Sequence, residues 1–210
     1  GQDKRVLVRF GDPVEAAPGD LMTWDLEPAY VRRGRLYAPA CDDLAAVAAA
    51  LVAFDLLGRV GGGGKRRRPD VRVLLTRAEE VGLIGAIAAC RSGIIPAQAR
   101  IIVLENSRSS AADSPIGAGP IVRVGDRAST FDPDLTYRVG RVAQSLAARD
   151  STFKWQRKLM PGGTCEASAY AALGFASTCL CLPLGNYHNV NEAAAGRGSR
   201  SRSGGQAGAG

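Results

Sequence analysis

The alternation of strand-like and helix-like apolar segments after residue 40 constrains the fold more than any other feature. Apolar residues recur at helical spacing in 41–58 and 132–146, whereas 71–76 and 101–104 are short apolar runs of strand length. The same reasoning predicts two more helices and two more strands: 83–91, 165–173, 152–157 and 178–182. Strands that alternate with helices predict an α/β fold, in which helices flank a sheet.

Residues 1–38 follow a different pattern, with many Pro and Gly residues between short alternating runs. Strands are predicted at 5–10, 21–24 and 35–37, with a tight turn at Arg33 and Gly34. This β unit is too short to be a domain by itself. Residues 39–195 are predicted to form the main domain. The segment 61–68 is predicted to be a flexible insertion, and the Ser, Arg and Gly residues of 196–210 predict a disordered tail.

The net charge of +7 is concentrated in two places. Four positive residues occupy 65–68, and three more, Arg197, Arg200 and Arg202, lie in the predicted tail. These seven equal the whole excess, so the folded remainder is expected to be neutral. We therefore predict no nucleic-acid-binding face.

The apolar runs and the cysteines indicate the cellular compartment of the protein. No apolar run approaches the ~20 residues of a membrane span, so no membrane association is expected. None of the five cysteines belongs to a CxxC pair. Cys179 and Cys181 share one face of a predicted strand, where cysteine commonly acts as a small core residue. We predict a reducing, cytoplasmic location without a disulfide framework.

Two adjacent glutamates, Glu79 and Glu80, directly follow the predicted strand 71–76. Such a pair at the end of a buried strand needs a cation nearby. Three other ionisable residues also lie at the ends of predicted elements. Glu105 and His188, the single histidine, each follow a strand, and Asp42 lies at the start of a helix. Ligand sites in open α/β sheets form at the carboxyl ends of strands. Carboxylates with one imidazole favour Zn²⁺, Mn²⁺ or Co²⁺.

Each residue alone has a more common structural role, such as a helix cap for Asp42 or a solvated surface for the glutamates. Together they resemble a known pattern. The chain is similar to the tetrahedral or glutamyl aminopeptidases, a family of co-catalytic zinc metallopeptidases. The matching motifs are Gly-Asp-Leu-Met-Thr-Trp at 19–24, Cys-Asp-Asp-Leu-Ala-Ala-Val at 41–47, Glu-Glu-Val-Gly at 79–82, Gly-Ala-Gly-Pro at 117–120, Pro-Gly-Gly-Thr at 161–164 and Tyr-His-Asn at 187–189.

The resemblance implies a fold and a mechanism. The fold would be a three-layer zinc-exopeptidase sheet flanked by helices, with a remnant of a small β insertion domain at the N-terminus. Asp42 would bridge two metal ions, Glu80 and His188 would complete one site, and Glu105 would serve the other. Glu79 would be the general base, taking a proton from the attacking water and returning it to the leaving amine of a peptide substrate.

Two departures from the family pattern modify these expectations. The family has another histidine upstream of its β insertion, and this chain has a single histidine in total. We therefore expect an N-terminally incomplete member, a second metal site that lacks its imidazole, and impaired activity. Cys165 stands where the family has an aspartate after Gly-Gly-Thr.

Relatives form homo-oligomers partly through the β insertion, so a homo-oligomer is expected of the full-length protein.

Three functions remain open from the sequence. The first is a metal-dependent aminopeptidase that releases N-terminal residues from peptides. The second is a related amidohydrolase or deacylase that uses the same metal core on N-acylated amino acids. The third is a catalytically inactive fold retained as a binding or assembly subunit, which the missing histidine favours and the intact Glu79–Glu80 pair opposes.

Overall fold

The computed structural model describes residues 10–22, 26–60 and 70–189, and it divides the chain into two compact units, Gly1–Pro39 and Ala40–Gly210. Several predictions fall outside the described residues: most of the strand at 5–10, the flexible insertion at 61–68 and the tail at 196–210. The domain bounds 1–38 and 39–195 stay predictions.

The first unit contains a two-stranded antiparallel hairpin, β1 (Tyr30–Arg32) and β2 (Arg35–Tyr37). Arg33 and Gly34 connect the strands with φ values of 51° and 72°, so the predicted tight turn and the strand at 35–37 are confirmed. Tyr30 and Tyr37 are cross-strand partners, and their rings stack with centroids 4.8 Å apart. The part of the predicted strand 21–24 that is described, 21–22, is not a strand.

The second unit is built on a mixed four-stranded sheet in the order β3-β6-β4-β5. Its strands are β3 (Arg100–Arg108), β4 (Ile121–Gly125), β5 (Gln156–Leu159) and β6 (Ala176–Leu184). The pairs β3–β6 and β4–β5 are parallel, and the central pair β4–β6 is antiparallel. The sheet therefore presents the carboxyl ends of β3 and β6 along one edge.

In the described part of the chain, four helices cover this sheet: α1 (Cys41–Val60), α2 (Ile84–Arg91), α3 (Pro133–Arg149) and α4 (Glu166–Ala172). Helices α2 and α4 share an apolar core with the strand residues Val103 and Cys179. Alternate residues of a strand point to opposite faces of the sheet. Thr178, one position before Cys179, therefore points to the second face, where it hydrogen-bonds Thr136 of α3 at 2.7 Å. Helix α1 is held on that second face by Asn106 of β3. The structure is thus a sheet between two helical layers, as predicted.

Helix α3 begins where the sequence predicts. Asp132 is its N-cap and accepts a 2.7 Å hydrogen bond from the backbone N–H of Leu135, and Pro133 occupies the first helical position. The predicted helices 83–91 and 165–173 are also confirmed as α2 and α4. Cys179 and Cys181 are buried core residues, as expected, with their Sγ atoms 3.4 Å apart and all five cysteines unbridged.

Three strand predictions need correction, and one strand was missed. The segment 71–76 is not a strand, because it has no ladder partner in the described part of the chain and its apolar side chains are mostly exposed. The strand predicted at 152–157 begins at Gln156 instead. Strand β3 continues beyond Leu104 to Arg108, so Glu105 lies inside the strand rather than at its end. Strand β4 was not predicted, because Arg123 interrupts its apolar run.

Helix α1 differs from its prediction in length and burial. It continues beyond residue 58, where the prediction ends it, and ends at Val60. Its predicted inner face is largely open, since Leu44, Leu51 and Phe54 are 65%, 49% and 45% exposed. Only Ala46 of this helix is buried by the described residues. In the described part of the chain, no helix combines the length and the apolar character that crossing a membrane requires.

Candidate metal centre

A tight turn before α2 positions the adjacent glutamates. The backbone N–H groups of Gly82 and Leu83 donate to the Glu79 carbonyl at 3.2 and 2.9 Å, and the N–H of Gly85 donates to the Arg77 carbonyl at 3.0 Å. A Cβ at Gly85 would lie 2.4 Å from that carbonyl oxygen, so only glycine permits this approach. The Glu-Glu-Val-Gly motif is therefore a folded turn that fixes the backbone from which the two carboxylates extend.

Asp42 lies at the start of α1. The backbone of Asp42 and Asp43 is not helical, and the peptide bond between them is cis. The amide of Asn106 in β3 donates 2.8 Å hydrogen bonds to the Cys41 carbonyl and to Oδ1 of Asp43. The aspartate is thus held between two residues that are anchored to the sheet.

His188 follows β6 in a short 3-10 helix, Tyr187–Asn189. It has a φ of 53°, in the left-handed region that residues other than glycine seldom adopt. Its ring stacks on that of Tyr187 with centroids 4.2 Å apart. Backbone strain of this kind is concentrated at functional sites.

These three elements bring Asp42, Glu80 and His188 together. The Nε2 atom of His188 lies 3.9 Å from Oδ2 of Asp42 and 3.8 Å from Oε1 of Glu80. Each residue can offer one ligand atom so that all three atoms lie within 4.8 Å of one another. The side chain of Asp42 is 20% exposed, whereas those of His188 and Glu80 are 52% and 65% exposed. The cluster is accessible to solvent.

The carboxylates around this cluster repel one another. Burial and the charge of Glu80 raise the pKa of Asp42, and His188 and Asn106 lower it. Burial, Asp42, Glu166 and Glu79 together raise the pKa of Asp43 to about 7. The pKa of Glu79 also rises to about 7, first through burial and then through the charges of Glu80, Glu166 and Asp42. A bound cation would relieve this repulsion.

Glu105 lies outside the three-residue cluster. Its Oε2 accepts a 3.0 Å hydrogen bond from the N–H of Asn106, and burial raises its pKa to about 9. The guanidinium of Arg123 opposes that rise, while the neighbouring Cys165 and Glu79 add to it. Its role as a ligand of a second metal site stays a prediction.

Three residues near the site were given no role from the sequence. Arg123 is fully buried, and its Nη2 donates to the Asn106 carbonyl at 2.9 Å. Asn106 is 2% exposed. Tyr187 packs on His188, and burial with the nearby Asp42 and Glu105 raises its pKa to about 12. Tyr187 was part of a recognised motif, whereas the contacts of Arg123 and Asn106 depend on strand register and leave no signal in the sequence.

The family model of the M42 glutamyl aminopeptidases matches residues 12–200, nearly the whole chain. The chain belongs to this family. No curated protein sequence matches it significantly. The matched span includes the elements that carry Asp42, the Glu79–Glu80 pair and His188.

Solved structures show the same fold. The structure of PhTET1-12s, a dodecamer, superposes on this chain with a TM-score of 0.58 and 23% sequence identity. The matched region covers 77% of this chain and 46% of the PhTET1-12s chain. The aminopeptidase APDkam598 from the archaeon Desulfurococcus kamchatkensis gives a TM-score of 0.53 at 23% identity, with 71% and 41% covered. The M42 chain therefore spans less than half the length of these structures.

Proposed function

We propose that the protein containing this chain is a metal-dependent aminopeptidase that hydrolyses N-terminal residues from peptides. The observation that carries the proposal is the convergence of Asp42, Glu80 and His188 from three separate elements of an M42 fold. Glu79, adjacent to one member of this cluster, is proposed as the general base.

The donor set fits a divalent transition metal such as Zn²⁺, Co²⁺ or Mn²⁺. Two ligand atoms that each lie ~2.1 Å from one Zn²⁺ can be at most about 4.2 Å apart. The distances of 3.8 and 3.9 Å from His188 Nε2 to the two carboxylates meet this limit. All three ligand atoms lie within 4.8 Å of one another, so a small rotation of the exposed Glu80 side chain is enough to complete the set. Two carboxylates and one imidazole suit Zn²⁺, Co²⁺ or Mn²⁺ better than Ca²⁺, which prefers six or more oxygen ligands.

When bound, such a metal lowers the pKa of water and polarises a carbonyl group. The chain supplies the proton transfer. Glu79 is half-buried, and its pKa of about 7 lies near neutral pH, where a general base is most effective. We propose that Glu79 accepts a proton from the attacking water and returns it to the leaving amine. The hydrogen-bonded turn at 77–85 holds the backbone that carries Glu79 and Glu80.

The experiment compares hydrolysis of short peptides with a free N-terminus and of the same peptides after N-acetylation, with added Zn²⁺, Co²⁺ or Mn²⁺. The aminopeptidase proposal expects cleavage of the free peptides alone. Glu79→Gln should lose most of this activity and keep its bound metal, because the amide cannot accept a proton. Glu27→Gln, at an exposed position in the first unit, is the matched control.

Two outcomes would replace the proposal. Preferential cleavage of the N-acetylated compounds would favour the related deacylase. Tight metal binding without hydrolysis of any amide would favour a catalytically inactive subunit. A Glu79→Gln variant with wild-type turnover would remove the general base from the mechanism.

We also propose that the full protein forms a homo-oligomer, as the dodecameric description of the related PhTET1-12s suggests. Sedimentation velocity of the full-length protein tests this directly. A monomer across micromolar concentrations would refute it. We further propose that the substrates are peptides and that the protein is cytoplasmic.

A further inference from the structure

The carboxamide of Asn106 joins β3 to the start of α1. Its Nδ2 atom carries two hydrogens, and it makes two hydrogen bonds of 2.8 Å, one to the Cys41 carbonyl oxygen and one to Oδ1 of Asp43. These acceptors belong to the residues immediately before and after Asp42. One planar amide therefore holds both neighbours of the aspartate.

Both partners of this amide are acceptors, so the position requires two donors. Asparagine supplies them without adding charge, whereas an aspartate of the same size would set a carboxylate against two oxygen atoms. Asn106 is 2% exposed, so water cannot readily replace either bond. Loss of a partner inside the protein leaves a buried polar group unsatisfied and shifts the groups around it.

Asn106 is itself fixed by its backbone. Its carbonyl accepts a 2.9 Å hydrogen bond from Nη2 of the buried Arg123, and its N–H donates to Oε2 of Glu105 at 3.0 Å. It also lies in the parallel ladder between β3 and β6, opposite Leu182. The amide is thus part of the rigid sheet, whereas Cys41, Asp42 and Asp43 precede the regular turns of α1.

We infer that Asn106 is a positioning residue that sets the carboxylate of Asp42 toward Glu80 and His188. This inference rests on the proposed metal site, because positioning matters only if Asp42 binds the cation. Groups that orient metal ligands typically change metal affinity by 10- to 100-fold when they are removed. Asn106 does not contact the cation in this scheme and acts through Asp42 alone.

The test measures Co²⁺ binding by its visible absorption and hydrogen exchange of the backbone in 41–44. Asn106→Ala and Asn106→Asp should each weaken Co²⁺ binding by about 10-fold or more and accelerate exchange in 41–44. The aspartate variant matters because it has nearly the same size, so its loss reflects the missing donors and the added carboxylate rather than a cavity.

Ser107→Ala is the matched control. Ser107 is the next residue of β3 and fully buried, and its Oγ has no hydrogen-bond partner among the described residues. Its removal should leave both Co²⁺ affinity and exchange in 41–44 at wild-type values. If Ser107→Ala weakens Co²⁺ binding as much as Asn106→Ala, general damage to the strand explains the effect and the inference is overturned.

A reciprocal exchange of the two side chains adds a rescue. In the double variant Asp43→Asn with Asn106→Asp, the new amide at 43 can donate to the new carboxylate at 106. Co²⁺ affinity should recover part of the loss seen in Asn106→Asp. Wild-type Co²⁺ affinity in both single Asn106 variants would overturn the inference, whereas a wild-type protein that binds no Co²⁺ would refute the proposed metal site itself.

Discussion

Glu105→Gln is expected to stabilise the metal-free protein at neutral and alkaline pH. Burial raises the pKa of this carboxyl from an ordinary 4.5 to about 9, even though Arg123 acts in the opposite direction. The folded protein then holds a proton on Glu105 that the unfolded chain releases above pH 4.5. Stability should therefore fall as the pH rises from about 4.5 to about 9.

The size of the effect follows from this pKa. Each pH unit between the two pKa values costs ~1.4 kcal/mol, so the penalty at pH 7 is about 3 kcal/mol. Glutamine resembles the protonated carboxyl and avoids the penalty. Its Oε1 can still accept the hydrogen bond from the N–H of Asn106. The variant should thus be about 3 kcal/mol more stable than wild type at pH 7 and nearly equal to it at pH 4.

The assay is urea unfolding in EDTA at several pH values from 4 to 9, with the exposed Glu27→Gln as the control. A stability difference that grows with pH supports the reasoning. A Glu105→Gln variant that is less stable than wild type at pH 8 would refute it, because Glu105 would then be an ionised partner of Arg123. Repeating the unfolding in saturating Zn²⁺ instead of EDTA tests the predicted ligand role separately, because a ligand role would make Glu105→Gln the less stable protein there.

Four further predictions concern the turn, the helices and the effect of metal. Gly85→Ala should lower stability by about 1–3 kcal/mol and weaken metal binding, because its Cβ would lie 2.4 Å from the Arg77 carbonyl oxygen; urea unfolding checks this. Gly140→Ala in α3, where a Cβ has no neighbour within 4 Å, should instead be neutral or stabilising, and a loss there would contradict the argument. Asp132→Ala should cost about 1 kcal/mol, since it removes the N-cap bond to Leu135, and a fully stable variant would show that the cap is unimportant. Saturating Zn²⁺ should raise the melting temperature of the wild type and leave that of His188→Ala unchanged; an equal rise in both would count against the site.

Local patterns in the sequence predicted much of the second unit. Apolar spacing identified α2, α3 and α4, and short apolar runs identified the centres of β3 and β6. Strand β4 escaped this reasoning because the buried Arg123 interrupts its apolar run. A charged residue in such a run ordinarily argues against a buried strand. In the structure Nη2 of Arg123 donates to the Asn106 carbonyl, whereas its Nε and Nη1 have no hydrogen-bond partner among the described residues.

The failures at 71–76 and at α1 share a physical cause. Apolar alternation predicts an extended segment, but a strand exists only when a neighbour completes its hydrogen bonds. Likewise, the spacing of Leu44, Leu51 and Phe54 predicts a buried face, and burial requires something to pack on it. The described residues supply neither a ladder partner for 71–76 nor a cover for α1.

The candidate site was predictable in part. The motifs placed Asp42, Glu80 and His188 at element ends, and the structure brings these three together. Glu105 illustrates the limit, because β3 continues to Arg108 and places this residue inside the strand rather than at its end. Asn106 supports Asp42 through a hydrogen bond to Asp43, which lies 63 residues away in the sequence. This contact depends on how β3 is placed in the sheet.

The metal content of the purified protein tests the central claim most directly. After incubation with Zn²⁺ and removal of the excess, elemental analysis should find about one tightly held ion per wild-type chain, as expected for one complete three-residue site. Glu80→Ala and His188→Ala should retain little Zn²⁺, and the Ser107→Ala control should retain the wild-type amount. Unchanged Zn²⁺ content in both Glu80→Ala and His188→Ala would contradict the account.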